Sequence, residues 1–230
     1  GDVGFLPTAA WCGRLRGDAL NITAELAGNR FGRNLLRVGC VRYDVDPDLA
    51  RTLGKRLATW ARDVNGALSR MFDAASVLAR FEGVGRLSAA IVTQLGLVGL
   101  PARASGIARD VRWDSRSAPY DLMNERPCVA LTGDVLARAD VRRQEIVQSV
   151  RLCIRLLDRL TEPIPFELVP RDLPVLMPDH LAVSRVETWR GPATHLVITG
   201  ESGRLAACRV VDPSCFNWIG LAMAMRDGRI

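Results

Sequence analysis

The sequence predicts an α+β fold that is mainly α, a helix bundle followed by a small antiparallel sheet near the C-terminus. Apolar residues recur every three or four positions in the first two thirds of the chain, which is the spacing of a buried helix face. Short apolar runs between glycine-containing turns then indicate strands. We expect a single domain over 1–230, with a helical part over 1–160, a proline-rich connection over 161–180, and the sheet and last helix over 181–230.

Three long helices are predicted in the helical part. The first covers 8–27 and stops at Gly28, because glycine commonly ends helices. The second begins at Pro47, and the third covers 134–160. The apolar stripe of the second helix is expected to lie in the core and consists of Leu49, Leu53, Leu57, Trp60, Val64, Leu68 and Met71.

Three strands are predicted over 182–189, 193–199 and 205–211, with "RGPA" and "GESGR" as the turns between them. A last helix follows Pro213, and Asp212 is expected to cap its N-terminus. Helices first and an antiparallel sheet afterwards are typical of an α+β chain.

The composition excludes a disordered chain, because 48% of the 230 residues are hydrophobic and can form a core. The formal net charge of +6 and a pI near 9.4 would suit an acidic partner. However, Lys55 is the only lysine, and the arginines are scattered without a basic run. We therefore expect no nucleic-acid partner, and an acidic protein partner remains the alternative to a simple bias towards arginine.

The cysteines and histidines do not form a metal-binding pattern. His180 and His195 stand far apart in sequence, and no C-x-x-C pair occurs among Cys12, Cys40, Cys128, Cys153, Cys208 and Cys215. No metal ligand is predicted. With no secretory signal at the start of the sequence, we expect reduced thiols in the cytosol.

Neither a membrane span nor a familiar catalytic motif is predicted. The longest apolar region, 89–102, is interrupted by polar residues, glycines and a proline, whereas a span needs about 20 predominantly apolar residues. The sequence contains no P-loop, no G-x-S-x-G and no H-E-x-x-H. Local spacing alone therefore indicates a helix-rich cytosolic domain and no particular mechanism.

The segment 100–114, "LPARASGIARDVRWD", concentrates charge around Ser105 and Gly106, with three arginines and two aspartates. Its proline and glycine argue against one continuous helix or strand. A solvated surface loop is the simplest interpretation, because loops normally run over the surface. The alternative is a buried segment whose charges pair internally, since buried arginines are tolerated only when paired.

Four segments together resemble the large subunits of membrane-bound nickel-iron hydrogenases of the formate hydrogenlyase type, and the related D subunit of NADH-quinone oxidoreductase. They occur in the family's order and are "AELAGNRFGRNLLRVGCVRYDV", "GRLSAAIVTQLGLVGLPARASGIARDVR", "GDVLARADVRRQEIVQS" and "VETWRGPATHLVITGESGRLAACRVVDPSCFNW". The resemblance covers nearly the whole chain and implies the C-terminal part of a large subunit with a nickel-iron hydrogenase large-subunit-like fold. "DPSCFNW" and the turn at 189–191 are more similar to the hydrogenase-type branch.

The resemblance implies that segment 100–114 is buried near the interface with an iron-sulfur small subunit. The residues that match the family's pattern form an expected structural charge network and are Arg103, Ser105, Gly106, Asp110 and Arg112. Direct participation in proton movement is the alternative role for this segment.

Two further matches lie in and before the first helix. Asp2-Val3-Gly4 matches a family Asp-x-Gly, so Asp2 is a candidate catalytic residue, proton-coupled and near a quinone pocket. A frayed terminal aspartate is the alternative. Arg14 and Arg16 match a family arginine pair and are assigned to the structural charge network.

The resemblance implies an oxidoreductase subunit that passes electrons between iron-sulfur clusters and a hydrogen or proton site. A quinone-reducing D subunit of an NADH-linked complex and a non-catalytic scaffold are the alternatives. No cofactor is expected in this chain: the clusters would be held by a partner subunit, and the parent complex would use nickel-iron or quinone. The implied location is cytoplasmic, peripheral on the cytoplasmic side of the inner membrane, bound to the iron-sulfur small subunit and other subunits.

The chain also departs from the family. The given sequence lacks the family's upstream region, which holds a histidine and a tyrosine or a first cysteine pair. It also lacks a second cysteine pair before Ile230. Cys40 and Cys215 are not expected to be ligands. We therefore expect a piece of a large subunit that is inactive alone. Separated from its small subunit, it should expose an apolar or arginine-lined face and self-associate through it.

Overall fold

The computed structural model describes residues 1–116, 119–122, 126–162 and 175–226. Helices dominate this part of the chain, and two small antiparallel sheets complete it, so the predicted mainly α, α+β class is confirmed. The helices are α1 (Leu6–Ala27), α2 (Pro47–Phe72), α3 (Ala75–Phe81), α4 (Ala89–Gln94), α5 (Leu100–Ala104), α6 (Val111–Asp114), α7 (Val135–Arg159) and α8 (Ser214–Arg226). The strands are β1 (Leu36–Arg37), β2 (Cys40–Val41), β3 (Leu181–Thr188), β4 (Gly191–Thr199) and β5 (Leu205–Val211).

The chain divides into two compact units. Unit 1 consists of Gly1–Leu78 and Ile146–Leu173, and unit 2 consists of Ala79–Glu145 and Pro174–Ile230. The division falls inside α7. The single-domain organisation stays a prediction, and most of the proline-rich connection expected over 161–180 lies outside the described residues.

In unit 1, α1 and α2 pack together along the apolar faces that the sequence predicts. Leu15 of α1 and Val64 and Ala67 of α2 form one buried cluster. The indole Nε1 of Trp60 donates to the carbonyl oxygen of Leu15 at 2.8 Å. The helix α2 begins at Pro47 because the carboxylate of Asp46 accepts the backbone N–H groups of the first turn.

In unit 2, β4 is the central strand of the sheet and pairs antiparallel with both β3 and β5. The two-residue loop Trp189–Arg190 joins β3 to β4, which places both residues at one end of the sheet. The strands begin and end within two residues of their predicted bounds. Asp212 caps α8 as predicted, accepting the backbone N–H of Ser214 at 2.8 Å.

Segment 100–114 folds as two short helices, α5 and α6, with a turn at Gly106 between them. It lies against the end of the sheet. Gly99 has φ +63°, and a Cβ there would overlap the backbone of Arg190, so only glycine allows this approach. Further buried contacts come from a cluster of Leu87, Val92, Leu97 and Ala102.

Several short elements are not among those predicted from the sequence. These are the hairpin β1–β2, with two residues in each strand, and the helices α3 and α4, with seven and six residues. Periodicity is informative only over about ten or more residues, so such elements leave no distinct pattern.

A buried charge network as candidate functional site

The centre of the network is Arg103 on α5, whose side chain is 1% exposed. Its Nε donates to Oε1 of Glu145 on α7 at 2.6 Å. Its Nη1 donates to Oε1 of Glu187 on β3 and to the carbonyl oxygen of Arg109, both at 2.9 Å. One guanidinium thus joins a short helix, a long helix and a strand through charge-assisted hydrogen bonds.

Asp110 forms the second centre of the network, with a side chain 3% exposed. Its Oδ2 and Oδ1 accept from Nη2 and Nε of Arg112 at 2.6 Å and 3.0 Å, which is a bidentate pair. Oδ1 also accepts the backbone N–H of Arg112 at 2.9 Å and so caps α6. Oδ2 lies 3.9 Å from Nη1 of Arg103, which connects the two centres.

The network contains two guanidinium groups and three carboxyl groups. With all five ionised, the set carries one excess negative charge. Burial raises the pKa of Glu187 above its ordinary value, and the negative charge of Asp110 adds to this, although the hydrogen bond from Arg103 acts in the opposite direction. A proton on Glu187 would balance the charges of the five groups.

The two arginines stay firmly charged. Burial acts to lower the pKa of Arg103, but the carboxylates of Glu145, Glu187 and Asp110 raise it above its ordinary value. The hydrogen bonds to Asp110 raise the pKa of Arg112 despite its partial burial. Any proton that the network gains or loses is therefore held by a carboxyl group.

Ser105 and Gly106 shape the backbone beside the arginine. The Oγ of Ser105 is buried and donates to the carbonyl oxygen of Leu87 at 3.0 Å. Gly106 has φ +88°, in the left-handed region that favours glycine. The turn at Gly106 lets the chain reverse between Arg103 and Asp110, so that both side chains reach the same interior.

The other candidate residues lie on or before α1. Asp2 is exposed, ahead of the helix. Arg14 forms surface ion pairs with Asp18 at 2.9 Å and Asp63 at 3.4 Å, rather than with the carboxylates of the buried network. Arg16 is exposed on the same helix. The proton-coupled role of Asp2 and the network role of Arg14 and Arg16 stay predictions.

Glu145 and Glu187 are the two members of the network that sequence reasoning did not name. Both lie in segments that carry the family resemblance, in "RRQEIVQS" and "VETWRG". They are 42 and 84 positions from Arg103, so local spacing could not reveal them. The charge count of segment 100–114 is the one hint in the sequence: three arginines and two aspartates leave one arginine that needs a carboxylate from elsewhere in the chain if the segment is buried.

The side chains that the structure describes do not form a metal centre. Across the described residues, no three or more histidine, cysteine, aspartate or glutamate side chains come together in a way that could hold a metal ion. None of the six cysteines, all of which lie in the described ranges, forms a disulfide, and Cys128 is the buried one. This donor set fits neither a nickel-iron centre nor an iron-sulfur cluster. None of the described helices is both long and apolar enough to cross a membrane.

Comparison with known proteins places the chain in the class of hydrogenase and NADH-quinone oxidoreductase large subunits. The chain belongs to the family of the respiratory-chain NADH dehydrogenase 49 kDa subunit, whose family model matches residues 2–173. The predicted superfamily is thereby confirmed.

Relatives in both branches of the superfamily are similar to the chain. The carbon monoxide-induced hydrogenase of Rhodospirillum rubrum is 31% identical over 88% of this chain and 55% of its own length. The D subunits of the NADH-quinone oxidoreductases of Salinibacter ruber and Syntrophobacter fumaroxidans are 33% and 30% identical, over 70% and 90% of this chain. These alignments cover 36% and 55% of the two relatives, so the chain spans about half or less of the length of its relatives.

Proposed function

We propose that the chain is part of a D-type subunit of a membrane-associated oxidoreductase complex, in which electrons pass from iron-sulfur clusters to a quinone. The match of residues 2–173 to the 49 kDa subunit family carries this proposal. Relatives named as D subunits of NADH-quinone oxidoreductase support it. This assignment takes precedence over the formate hydrogenlyase type that the sequence resemblance favoured.

The second candidate is a hydrogenase-type large subunit, with a hydrogen or proton site in place of the quinone. It is favoured by the carbon monoxide-induced hydrogenase, which aligns over 88% of this chain. The described residues do not supply a metal-binding group. Both candidates therefore assign the iron-sulfur clusters to a partner subunit.

The role proposed for the buried network is to hold a surface in place for that partner. Arg103 joins α5, α7 and β3, and Asp110 fixes the start of α6. Because Arg103 bonds to Glu145 and Glu187 and the backbone of Val111 bonds to Glu187, segment 100–114 cannot shift without breaking several hydrogen bonds to carboxyl groups elsewhere in the chain. A rigid segment keeps the distance between redox centres on either side of an interface constant.

The proposed location follows from the same assignment. The chain would lie at the cytoplasmic side of the inner membrane, bound to the iron-sulfur small subunit and to other subunits of the complex. Asp2 would serve as a proton-coupled group near the quinone. Its exposure leaves it free to contact a quinone pocket that other parts of the complex complete.

The test uses the intact complex, purified from membranes through an affinity tag on this protein. Reduced methyl viologen supplies electrons, and the reduction of a short-chain ubiquinone analogue is measured beside hydrogen evolution. The proposal predicts quinone reduction. Hydrogen evolution without quinone reduction would establish the second candidate. If a complex that retains its iron-sulfur clusters shows neither activity, the chain is a non-catalytic scaffold.

A matched pair of variants tests Asp2. Asp2→Asn should lower quinone reduction by about tenfold or more, the scale of a lost proton-transfer group. Asp18→Asn, which alters another exposed carboxylate at α1, should leave the rate unchanged. Equal rates in the two variants would remove Asp2 from the proposed site, provided that both complexes contain the same amount of this chain.

A further inference from the structure

A cavity in unit 2 is lined by arginine and tryptophan. Arg138 and Arg142 enter it from α7, Trp189 and Arg190 from the loop between β3 and β4, and Trp218 from α8. Its volume is about 380 Å³, which is within the range of small-molecule sites. The cavity is distinct from the Arg103 network, because none of the five charged groups of that network lines it.

None of the three arginines of the cavity forms an ion pair within the described parts of the chain, although the nearby charges of Asp134, Glu145 and Asp212 act on Arg138, Arg142 and Arg190 respectively. Arg138 donates to the carbonyl oxygens of Gly133 at 2.7 Å and Gly85 at 3.0 Å. Arg142 donates to the carbonyl oxygen of Arg138 at 3.3 Å. Carbonyl dipoles orient these guanidinium groups but do not cancel their charge, in contrast to the carboxylates around Arg103.

The positive charges also act on one another. Burial lowers the pKa of Arg138 and of Arg142 below the ordinary value. For Arg138, the positive charge of Arg142 lowers the pKa further and the negative charge of Asp134 opposes the shift. For Arg142, the positive charge of Arg190 lowers the pKa further and the negative charge of Glu145 opposes the shift. An anion in the cavity would stabilise the charged form of both side chains.

The tryptophans add an apolar wall beside the positive one. Trp189 is 49% exposed and Trp218 is 66% exposed, and Leu221 continues the same wall. A bare inorganic anion would leave this aromatic surface in contact with water. A ligand with an apolar body would cover it and gain the burial free energy of aromatic groups.

We propose that this cavity binds an organic anion whose phosphate or carboxylate group lies on Arg142 and Arg190 and whose apolar body packs between Trp189 and Trp218. A soluble phosphate ester and the headgroup of an anionic lipid share this chemistry. The proposal rests on unit 2 alone and does not depend on the proposed electron transfer, so either can fail without the other.

The experiment titrates the full chain with phenyl phosphate and inorganic phosphate, and measures binding by calorimetry and tryptophan fluorescence. Phenyl phosphate should bind saturably and more tightly than inorganic phosphate, and uncharged phenol should not bind. Arg142→Gln combined with Arg190→Gln should weaken phenyl phosphate binding by about tenfold or more, as expected for the loss of charge-assisted hydrogen bonds. Arg14→Gln, a surface change in unit 1, is the matched control.

Vesicles separate the two sources of the anion. Sedimentation with vesicles of phosphatidylcholine alone or with added phosphatidic acid measures headgroup binding. The ligand is a lipid headgroup if the chain binds vesicles only when they contain phosphatidic acid, the double variant loses this binding, and phenyl phosphate does not bind. Binding of phenyl phosphate alone assigns a soluble ligand.

Two results would overturn the proposal. One is the absence of saturable binding to phenyl phosphate and to phosphatidic acid vesicles alike. The other is unchanged binding in the double variant. If the double variant does not fold, Arg190→Gln alone repeats the test, because Arg190 is exposed on a loop and contributes no ion pair to the described structure.

Discussion

Arg14 in unit 1 and Arg103 in unit 2 form ion pairs of equal length, but the first is exposed to water and the second is buried. In unit 1, Arg14 contacts Asp18 at 2.9 Å with its side chain 57% exposed. In unit 2, Arg103 contacts Glu187 at the same distance with its side chain 1% exposed. Water already solvates the first pair, so its contribution is small, whereas the second pair has lost its solvation and depends on its partners. Burial, rather than distance, separates a surface contact from a structural requirement.

The two clusters also differ in what they connect. Arg14 pairs within α1 and with α2, two helices that already pack through an apolar core. Arg103 joins α5, α7 and β3. A variant that breaks a contact of the first kind should therefore affect little beyond its own surface, and one of the second kind should loosen several elements at once.

The largest expected effect is that of Arg103→Met. It leaves Asp110, Glu145 and Glu187 buried together with only Arg112 to offset their charge. Breaking a buried ion pair from one side costs about 3 to 5 kcal/mol, and we expect a cost at the upper end, about 5 kcal/mol, because three carboxyl groups lose a partner. Urea denaturation followed by circular dichroism measures the change.

Arg56→Met is the matched control for this variant. Arg56 pairs with Glu25 at 2.5 Å but is 41% exposed, so its loss should cost about 0 to 1 kcal/mol. Similar losses of unfolding free energy in the two variants would mean that the buried pair is no stronger than the exposed one.

A second, smaller effect is expected for Asp110→Asn. The variant keeps an oxygen to cap α6 but removes the charge that pairs with Arg112, at a cost of about 3 kcal/mol. The cost should be below that of Arg103→Met, because two guanidinium groups and two carboxyl groups remain. Asp48→Asn, at a side chain 86% exposed beside Arg51, should shift the urea midpoint very little. A cost for Asp110→Asn as small as that for Asp48→Asn would indicate a solvated segment 100–114.

The third prediction concerns Glu187→Gln and pH. The raised pKa of Glu187 means that its contribution to stability is fully present below its unfolded pKa, about 4.3, and is lost as pH rises through the folded pKa. Glutamine does not titrate, and with its oxygen on Arg103 its amide nitrogen cannot accept the backbone N–H of Val111, so one hydrogen bond is lost at a cost of about 1 kcal/mol. The variant should therefore be less stable than the native chain near pH 4, and the difference should shrink as pH rises.

Urea midpoints across this range measure that difference. A gap that widens with pH would show that ionised Glu187 stabilises the network, contrary to the direction of its pKa. The same series on Glu25→Gln, at the exposed pair with Arg56, should show a small difference at every pH.

The smallest expected effect is that of Arg14→Gln. Two exposed carboxylates lose a partner that water and ions replace, so we expect a cost of about 0.5 kcal/mol that disappears in high salt. Denaturation at low and high ionic strength measures it. A cost that persists in high salt would assign Arg14 to a desolvated network, as the family resemblance expects.

The long elements were predictable because their residues repeat one physical constraint many times. The apolar residues from Leu49 to Met71 recur at helical spacing and so predict the buried face of α2, and Pro47 marks its first turn. Asp212 was identifiable as a cap for a related reason, since capping is a contact between neighbours in sequence. Elements such as α4 depend on tertiary packing that no short window contains.

The site was predictable only in part. Arg103 and Asp110 lie in one segment whose charge and glycine mark it as unusual, and the family resemblance assigned both to a network. Glu145 and Glu187 come from a helix and a strand that look ordinary by themselves. A carboxylate on an amphipathic helix is usually solvated, so only the packing of the elements identifies these two as partners of a buried arginine.

The sequence separation of the partners of Arg103 has a consequence for the order of folding. Glu145 is 42 positions away and Glu187 is 84 positions away, so forming these contacts requires two long chain segments to lose conformational freedom first. We expect the network to close late, after the hairpin of β3 and β4 has formed. Substitutions at Arg103 should then accelerate unfolding and leave the folding rate nearly unchanged. The buried charges would act as a latch on the folded state, lengthening its lifetime without guiding the chain towards it.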